Sequence, residues 1–407
     1  FARHEPERLR SLEAQANRSR GSLSRASVRA LYGDKLRLSA SRIDKFASCR
    51  FAYFMQYALK AKPHEPAGFT APEMGTFMHK ILEQVSREVA SMGGYKSVDD
   101  ETVTRLCDKY IDEYITRELN DFRDKSKRFE YLFRRLTGSV HRIVLDLADE
   151  LRRSDFQPLS FELDFADTPQ LPPLELGEGE DKLVLTGVAD RVDGWLHEGK
   201  LYLRVVDYKT GRKKFDLSDV LYGMNLQMLL YLFSLGENGK LLYGEEIVPA
   251  GVLYVPARDG VISEDGDISD AELEKKRSKG LRRSGLVLSD PEVIRAMEHA
   301  DTPKYIPVDF KKNGPAGDAL VSAERLGTLA RHVDQMLCEM ASELRRGSIA
   351  ADPYYAGQQE NACINCDYFD ACRFADGENG ESMRSTPHLP ATKVWSVLEG
   401  GEEDGEV

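Results

Sequence analysis

The chain has no long hydrophobic run. Its most apolar stretch, LQMLLYLF at 226–233, falls far short of the ~20 residues that cross a bilayer, so no membrane association is expected. Cysteine is scarce, six in 407 residues, which excludes a disulfide framework. The opening FARHEPERLRSLEAQ is polar and charged, unlike a secretory leader. There is no internal repeat and no G-x4-G-K-[ST] phosphate loop. GENGKLL lacks both the leading glycine and the final hydroxyl, so ATP hydrolysis by this chain is not expected. A positive excess is missing too. The net charge of -12 argues against a general nucleic-acid coat and leaves only local basic runs, TGRKK at 210–214 and KKRSKGLRR at 275–283. Methionine is absent from position 1, where Phe1 stands, and the expectation is a fragment of a larger polypeptide or a processed product.

The residues present, 41% apolar and 30% charged, suit a globular protein with a large core. Residues 1–35 read as a charged, helix-rich lead-in. Met78, Ile81, Leu82, Val85 and Val89 make one helical stripe, and 101–155 continues as helix. From 158 the period becomes two. LSFELDFAD, KLVLTGVADRVDGWLHEG and KLYLRVVDYKTG predict three strands, the last two a hairpin turned at Glu198–Gly199. DLSDVLYGMNLQMLLYLFSLG predicts a buried helix, and IVPAGVLYVPAR a further strand. Residues 258–303 read as a polar insertion, and a helix is expected from about Asp318 to Arg346.

Two constellations carry chemistry. Cys363, Cys366 and Cys372 form a C-x2-C-x5-C cluster one ligand short, and Cys49, far upstream in SRIDKFASCRFAYF, can complete it. In a reducing compartment this favours a metal or cluster. Phe46, Phe51, Tyr53, Phe54 and Tyr57 crowd Cys49 as a shield or as core. Cys107 and Cys338 read as small core residues. The second constellation lies in GVADRVDGW and VVDYKTG. Asp207 and Lys209, two apart on a strand, face one side, and Asp190 can face the same point from the neighbouring strand. Two converging carboxylates suit a hard divalent ion such as Mg²⁺, and a nearby ammonium suits a phosphate and a water. That is equipment for metal-assisted phosphodiester hydrolysis. Gln227 and Tyr231, i and i+4 on the apolar helix, share a face. Arg191 and Asp193 read as a hairpin salt bridge.

GVADRVD…VVDYKTG…LQMLLYL resembles the RecB-like branch of the PD-(D/E)xK nucleases, with its Asp, Asp-x-Lys and Gln-x3-Tyr signature at Asp190, Asp207, Lys209, Gln227 and Tyr231. GTFMHKILEQ is similar to the family's His-bearing helix, and the resemblance puts His79 at the metal with Asp190 and Asp207. One cysteine before the nuclease core and three after it resemble the iron–sulfur staple of AddB-type subunits of AddAB helicase–nucleases. That resemblance implies that Cys49, Cys363, Cys366 and Cys372 hold a [4Fe-4S] cluster. Zinc held by four thiolates is the competing reading of the residues alone.

The expected fold is α/β, a restriction-endonuclease-like mixed sheet flanked by helices, with a helical insertion and a four-cysteine staple. The expected boundaries are a lead-in at 1–36 from a preceding domain, a nuclease domain at 37–375 and a flexible tail at 376–407. Within the nuclease domain they are a helical part at 75–155, a catalytic core at 156–260 and an insertion at 261–316. The resemblance implies a Mg²⁺-dependent deoxyribonuclease acting on single-stranded DNA from an unwound duplex end during double-strand-end repair. It would act in the bacterial cytoplasm at the nucleoid, beside an AddA-type helicase–nuclease partner. Gln227 and Tyr231 would support the site or touch DNA. The other readings are a catalytically silent DNA-guiding scaffold and a stand-alone iron–sulfur exonuclease.

Overall fold

The computed structural model describes residues 20–62, 71–123, 125–165, 171–177, 182–211, 214–257, 269–312, 314–378 and 380–400. Most of the lead-in, the start of the expected insertion and the GEEDGEV tail therefore lie outside the described residues. Helix α1 (Arg25–Tyr32) and strand β1 (Leu36–Ser39) lead into α2 (Ala40–Ser48) and α3 (Arg50–Tyr53), with Cys49 at the α2–α3 junction. Three long helices follow: α4 (Ala71–Ser91), α5 (Asp100–Glu118) and α6 (Lys127–Arg152). The α4 stripe of Met78, Ile81, Leu82, Val85 and Val89 is fully buried, as its 3.6-residue period requires. The single helix expected over 101–155 is in fact α5 and α6. Ser126 caps the second by accepting from the Phe129 amide.

The sheet region begins with β2 (Gln157–Asp164), β3 (Glu175–Leu176), β4 (Leu183–Thr186), β5 (Val188–His197) and β6 (Lys200–Lys209). After it come α7 (Leu217–Leu221), α8 (Gln227–Tyr243), β7 (Glu246–Pro256), α9 (Asp270–Leu281), β8 (Ser284–Leu288) and α10 (Pro291–Met297). The remainder is β9 (Asp309–Lys311), β10 (Gly314–Ala316), β11 (Leu320–Val321), α11 (Ala323–Arg345), β12 (Tyr354–Gly357), β13 (Glu360–Asn361), α12 (Phe369–Cys372), β14 (Arg384–Ser385) and α13 (Ala391–Leu398).

The central sheet is mixed, in the order β11-β8-β7-β6-β5-β2. The β5–β6 hairpin closes at His197↔Lys200 around Glu198 and Gly199, both at positive φ, as the sequence predicts. β6 and β7 are parallel, so a crossover must join them. α7 and α8 make it, and α8 packs on both strands.

Four expectations need correction. KLVLTGVADRVDGWLHEG is not one strand: Gly187 breaks it, and β4 pairs with β1 and β3 in a separate sheet. The helix expected from 216 is interrupted at Gly223 and Asn225, both at positive φ. The insertion expected over 261–316 is not peripheral throughout, because β8 pairs antiparallel with β7 and its Leu286, Val287 and Leu288 are buried. The tail is not loose over its described part. β14 adds to β12, and Val394 and Trp395 of α13 are buried because burying that apolar pair outweighs chain entropy.

On the face of β5 and β6 that Glu150 of α6 meets, buried charges form a continuous chain. Arg191 meets Asp193 at 2.7 Å, and Arg204 meets Asp193 at 2.8 Å and Glu150 at 3.2 Å. Arg283 meets Glu150 at 2.7 Å and Asp146 at 2.6 Å. The Arg191–Asp193 pair is thus part of a wider network, and Arg283, from the stretch read as a polar insertion, is buried within it. Burial raises the Glu150 carboxyl, but the charges of Arg283, Arg204 and Arg191 outweigh it and hold the group near about 2. Replacing Glu150 with Gln should destabilise the fold by about 3–5 kcal/mol, because it strands buried guanidinium groups. The ionised Glu150 contributes stability that is fully present above its ordinary value of 4.5 and lost as pH falls toward about 2. Urea unfolding of wild type and variant at neutral pH and near pH 3 should show the gap shrinking with acid.

Candidate functional site

The β5–β6 ladder ends at the pair Arg191↔Val206, so the next residues, Asp190 and Asp207, stand across from one another. On the other side Phe161↔Arg191 and Leu163↔Ala189 bracket Glu162 opposite Asp190. Asp207 pairs in turn with Tyr254 of β7. One transverse row of the sheet therefore reads Glu162, Asp190, Asp207, Tyr254. Like charges placed opposite one another destabilise a sheet, and three in a row call for cations.

Two cationic groups answer. Lys209 Nζ lies 2.8 Å from Asp207 Oδ2 and 4.9 Å from the centre of the Tyr254 ring. His79, from α4, places Nδ1 3.4 Å from Asp190 Oδ1. Its Nε2 donates to the Tyr208 carbonyl at 2.7 Å, and Asp190 Oδ2 accepts from the Tyr208 amide at 2.8 Å. The neighbouring Lys209 carbonyl accepts from Ala257 on the β7 side, so Tyr208 presents both of its backbone groups toward β5. There the β5–β6 ladder has ended, and a carboxylate and an imidazole take the vacated positions. The Nε2 hydrogen bond keeps a proton on that nitrogen, so Nδ1, which faces Asp190, is the nitrogen that would ligate a metal once its own proton is displaced.

Burial works against a charged imidazole. The hydrogen bond and charge of Asp190, the Tyr208 carbonyl and Asp207 outweigh that penalty and raise His79 to about 9. Burial also raises the Asp207 carboxyl, and the charge of Asp190 adds to it, while Lys209 and His79 oppose. Burial and Asp190 likewise raise Glu162, which stands at the solvent-exposed rim. One donor atom from each of His79, Glu162 and Asp190 lies within 4.8 Å of the others. That set differs from the expected trio of His79, Asp190 and Asp207: Glu162 enters it, and Asp207 is engaged by Lys209. Sequence reasoning missed Glu162. Its trace is the alternation in FELDF, whose polar face continues the row of Asp190.

Gln227 and Tyr231 do not reach the surface of this row together. Tyr231 is buried, stacked on Phe165 at 4.6 Å, and its hydroxyl meets the Val188 backbone and the Gln227 side chain. Burial raises it to about 12, with Asp207 adding. This hydroxyl occupies the space where a side chain on Gly187 would begin. The conformation at Gly187, φ +156, and the close approach both require glycine.

Cys49, Cys363, Cys366 and Cys372 line one apolar-walled cavity with Phe51, Pro353, Phe369 and Phe374. All four are free thiols. Burial raises Cys363 to about 11, with Cys49, Cys366 and Cys372 adding to the shift, so the sulfurs sense one another. Burial raises the Cys49 thiol as well, opposed by the amides of Ala52 and Phe51 and by Arg384, and Arg20 donates to Cys372 Sγ at 3.2 Å. Four thiols with nearby cationic and amide donors fit a group held by four thiolates. Cys107 is core, whereas Cys338 is only half-buried.

Comparison with known proteins accords with this geometry. The family model of the PD-(D/E)XK nuclease superfamily matches residues 37–373. The chain belongs to the PD-(D/E)XK nuclease superfamily. Curated relatives of this PD-(D/E)XK chain carry names that make them subunits of an ATP-dependent helicase/deoxyribonuclease. That of Thermoanaerobacter sp. strain X514 is 34% identical over 381 residues, covering 92% of this chain and 33% of the relative. That of Clostridium acetobutylicum is 32% identical over 386 residues, covering 92% and 33%. That of Acetivibrio thermocellus is 33% identical over 389 residues, covering 94% and 34%. The chain spans about a third of the length of the curated relatives it matches.

In this PD-(D/E)XK domain, Gly187→Ala should force Tyr231 aside and cost about 1–3 kcal/mol, although no acidic residue changes. Thermal unfolding should show the loss, and Tyr231→Phe in the same background should recover part of it.

Proposed function

We propose that this domain is the deoxyribonuclease unit of a helicase–nuclease subunit, cleaving single-stranded DNA released from an unwound duplex end during recombinational repair. The carrying observation is the convergence of His79, Glu162 and Asp190 within ligand distance beside the Asp207–Lys209 pair. Hard oxygen donors with one imidazole suit a divalent cation, with Mg²⁺ the proposed ion. When bound, such an ion supplies Lewis acidity, a nucleophile at neutral pH and a template for the phosphate. Asp190 and His79 hold their positions through the Tyr208 peptide, and Glu162 closes the open side. Asp207 keeps the Lys209 ammonium at the row, where it can hold a phosphate oxygen and orient the attacking water. Tyr231 acts through Gly187 and Val188 on the start of β5, not on the DNA. The relatives are named as subunits, which supports a partner, proposed as an AddA-type helicase–nuclease, and a cytoplasmic place at the nucleoid.

We further propose that the four thiols hold a [4Fe-4S] cluster as a staple between the two ends of the domain. The donor set itself is equally suited to zinc. Cys49→Ala should lose the iron absorbance of anaerobically purified protein and lower its Tm, since the link is cut. Full iron retention would remove Cys49 from the ligand set, and one zinc per colourless wild-type chain would replace the cluster.

Cleavage of a labelled single strand should require added Mg²⁺ and stop with EDTA. Asp207→Ala and Lys209→Ala should each lower it by on the order of 10²–10³-fold with the fold retained by circular dichroism. A wild-type domain that binds the strand without cutting it would instead support the scaffold reading.

A further inference from the structure

The face of α6 beyond its buried half carries a different kind of surface. In a chain of net charge -12, the first two turns or so of α6 and the turn before it expose Lys125, Arg128, Arg134 and Arg135 beside Tyr131 and Leu132. Tyr131 is 61% exposed, far more than an aromatic ring with a packing role. The cations sit on rings: Arg135 lies 6.0 Å from the centre of Tyr131, Lys125 5.3 Å from Phe129 and Arg134 5.8 Å from Phe122. Arg134 also pairs with Glu130 at 3.1 Å. Arg128 and Arg135 have no ion pair among the described residues.

The inner side of the same helix ties this surface to the candidate site. Phe133 packs 4.7 Å from Phe77, two residues before His79 on α4. Lys80, the residue after His79, lies over Tyr114, which stacks on Phe133. The start of α4 reaches the end of β6, where Gly75 adjoins the Thr210 side chain. The helix that carries this exposed face is therefore packed, through Phe133, against the helix that carries His79.

We propose that this face binds the single-stranded substrate outside the cleavage point, with Arg128 and Arg135 on phosphates and Tyr131 stacked on a base. Charge complementarity selects a polyanion, and an exposed ring among cations suits an unpaired strand better than a duplex, because only unpaired bases offer their faces. The proposal rests on the nuclease reading above.

The test measures fluorescence anisotropy of a labelled oligothymidylate in Ca²⁺ or EDTA, across salt concentrations, for the full chain. Arg128→Ala/Arg135→Ala should weaken binding more than 10-fold and reduce the slope of log affinity against log salt by about 1.4. Tyr131→Ala should weaken binding several-fold without changing that slope. Cleavage of a trinucleotide should remain at the wild-type level in both variants and verifies folding. Wild-type affinity and slope in the variants would overturn the patch and leave the nuclease reading intact. Loss of association with a partner protein, with strand binding unchanged, would also overturn it. A wild-type chain that shows the predicted patch behaviour but never cleaves would retire the nuclease reading instead.

Discussion

The Tyr208 peptide is the mount on which the site depends. A strand in a mixed sheet normally spends each N–H and C=O on a neighbouring strand. At Tyr208 the neighbour has turned away, and the two groups hold an aspartate and a histidine instead. The cost of opening the ladder is offset by hydrogen bonds to ionisable groups, which are stronger than neutral ones. Register then follows without further instruction: once Asp190 is fixed to Tyr208, Glu162 and Asp207 stand on either side of it.

The rest of the fold keeps that peptide still. Below the sheet the Tyr208 hydroxyl accepts from Arg191 at 2.7 Å, and Arg191 is anchored in the charge network that joins β5, β6, α6 and Arg283 just before β8. On the other side Tyr231 packs against Gly187 and sets where β5 begins. α2, which ends at Cys49, ties into the same support: Asp44 accepts from the Asn225 amide at 2.8 Å, just before α8 and Tyr231. The cysteine end and the acidic row are therefore connected through α2.

Much of this is legible in the sequence, for local reasons. The hairpin is marked by Glu198–Gly199 between alternating strands, and the α4 stripe by its period. Asp190, Asp207 and Lys209 come together because pairing across one hairpin is enough to place them. Glu162 was hidden because its partner strand is not adjacent in sequence, and positive φ at Glu162 gives no sequence mark. The split at Gly187 was hidden because a strand that changes sheets keeps its alternation. β8 was hidden inside a polar stretch, where a five-residue apolar run, SGLVL, is too short to distinguish from a loop. Trp395 was hidden likewise, because VWSVL is a short apolar run between polar stretches.

The central claim is that the row from Glu162 to Asp207 is built around a cation. Anomalous diffraction at the manganese edge, from crystals soaked in Mn²⁺, tests it most directly. The account predicts a peak coordinated by His79 Nδ1, Glu162 and Asp190, with Asp207 adjacent. Full soaking with no peak at that row, or with the metal bound elsewhere while His79 stays bonded to Asp190, would contradict it.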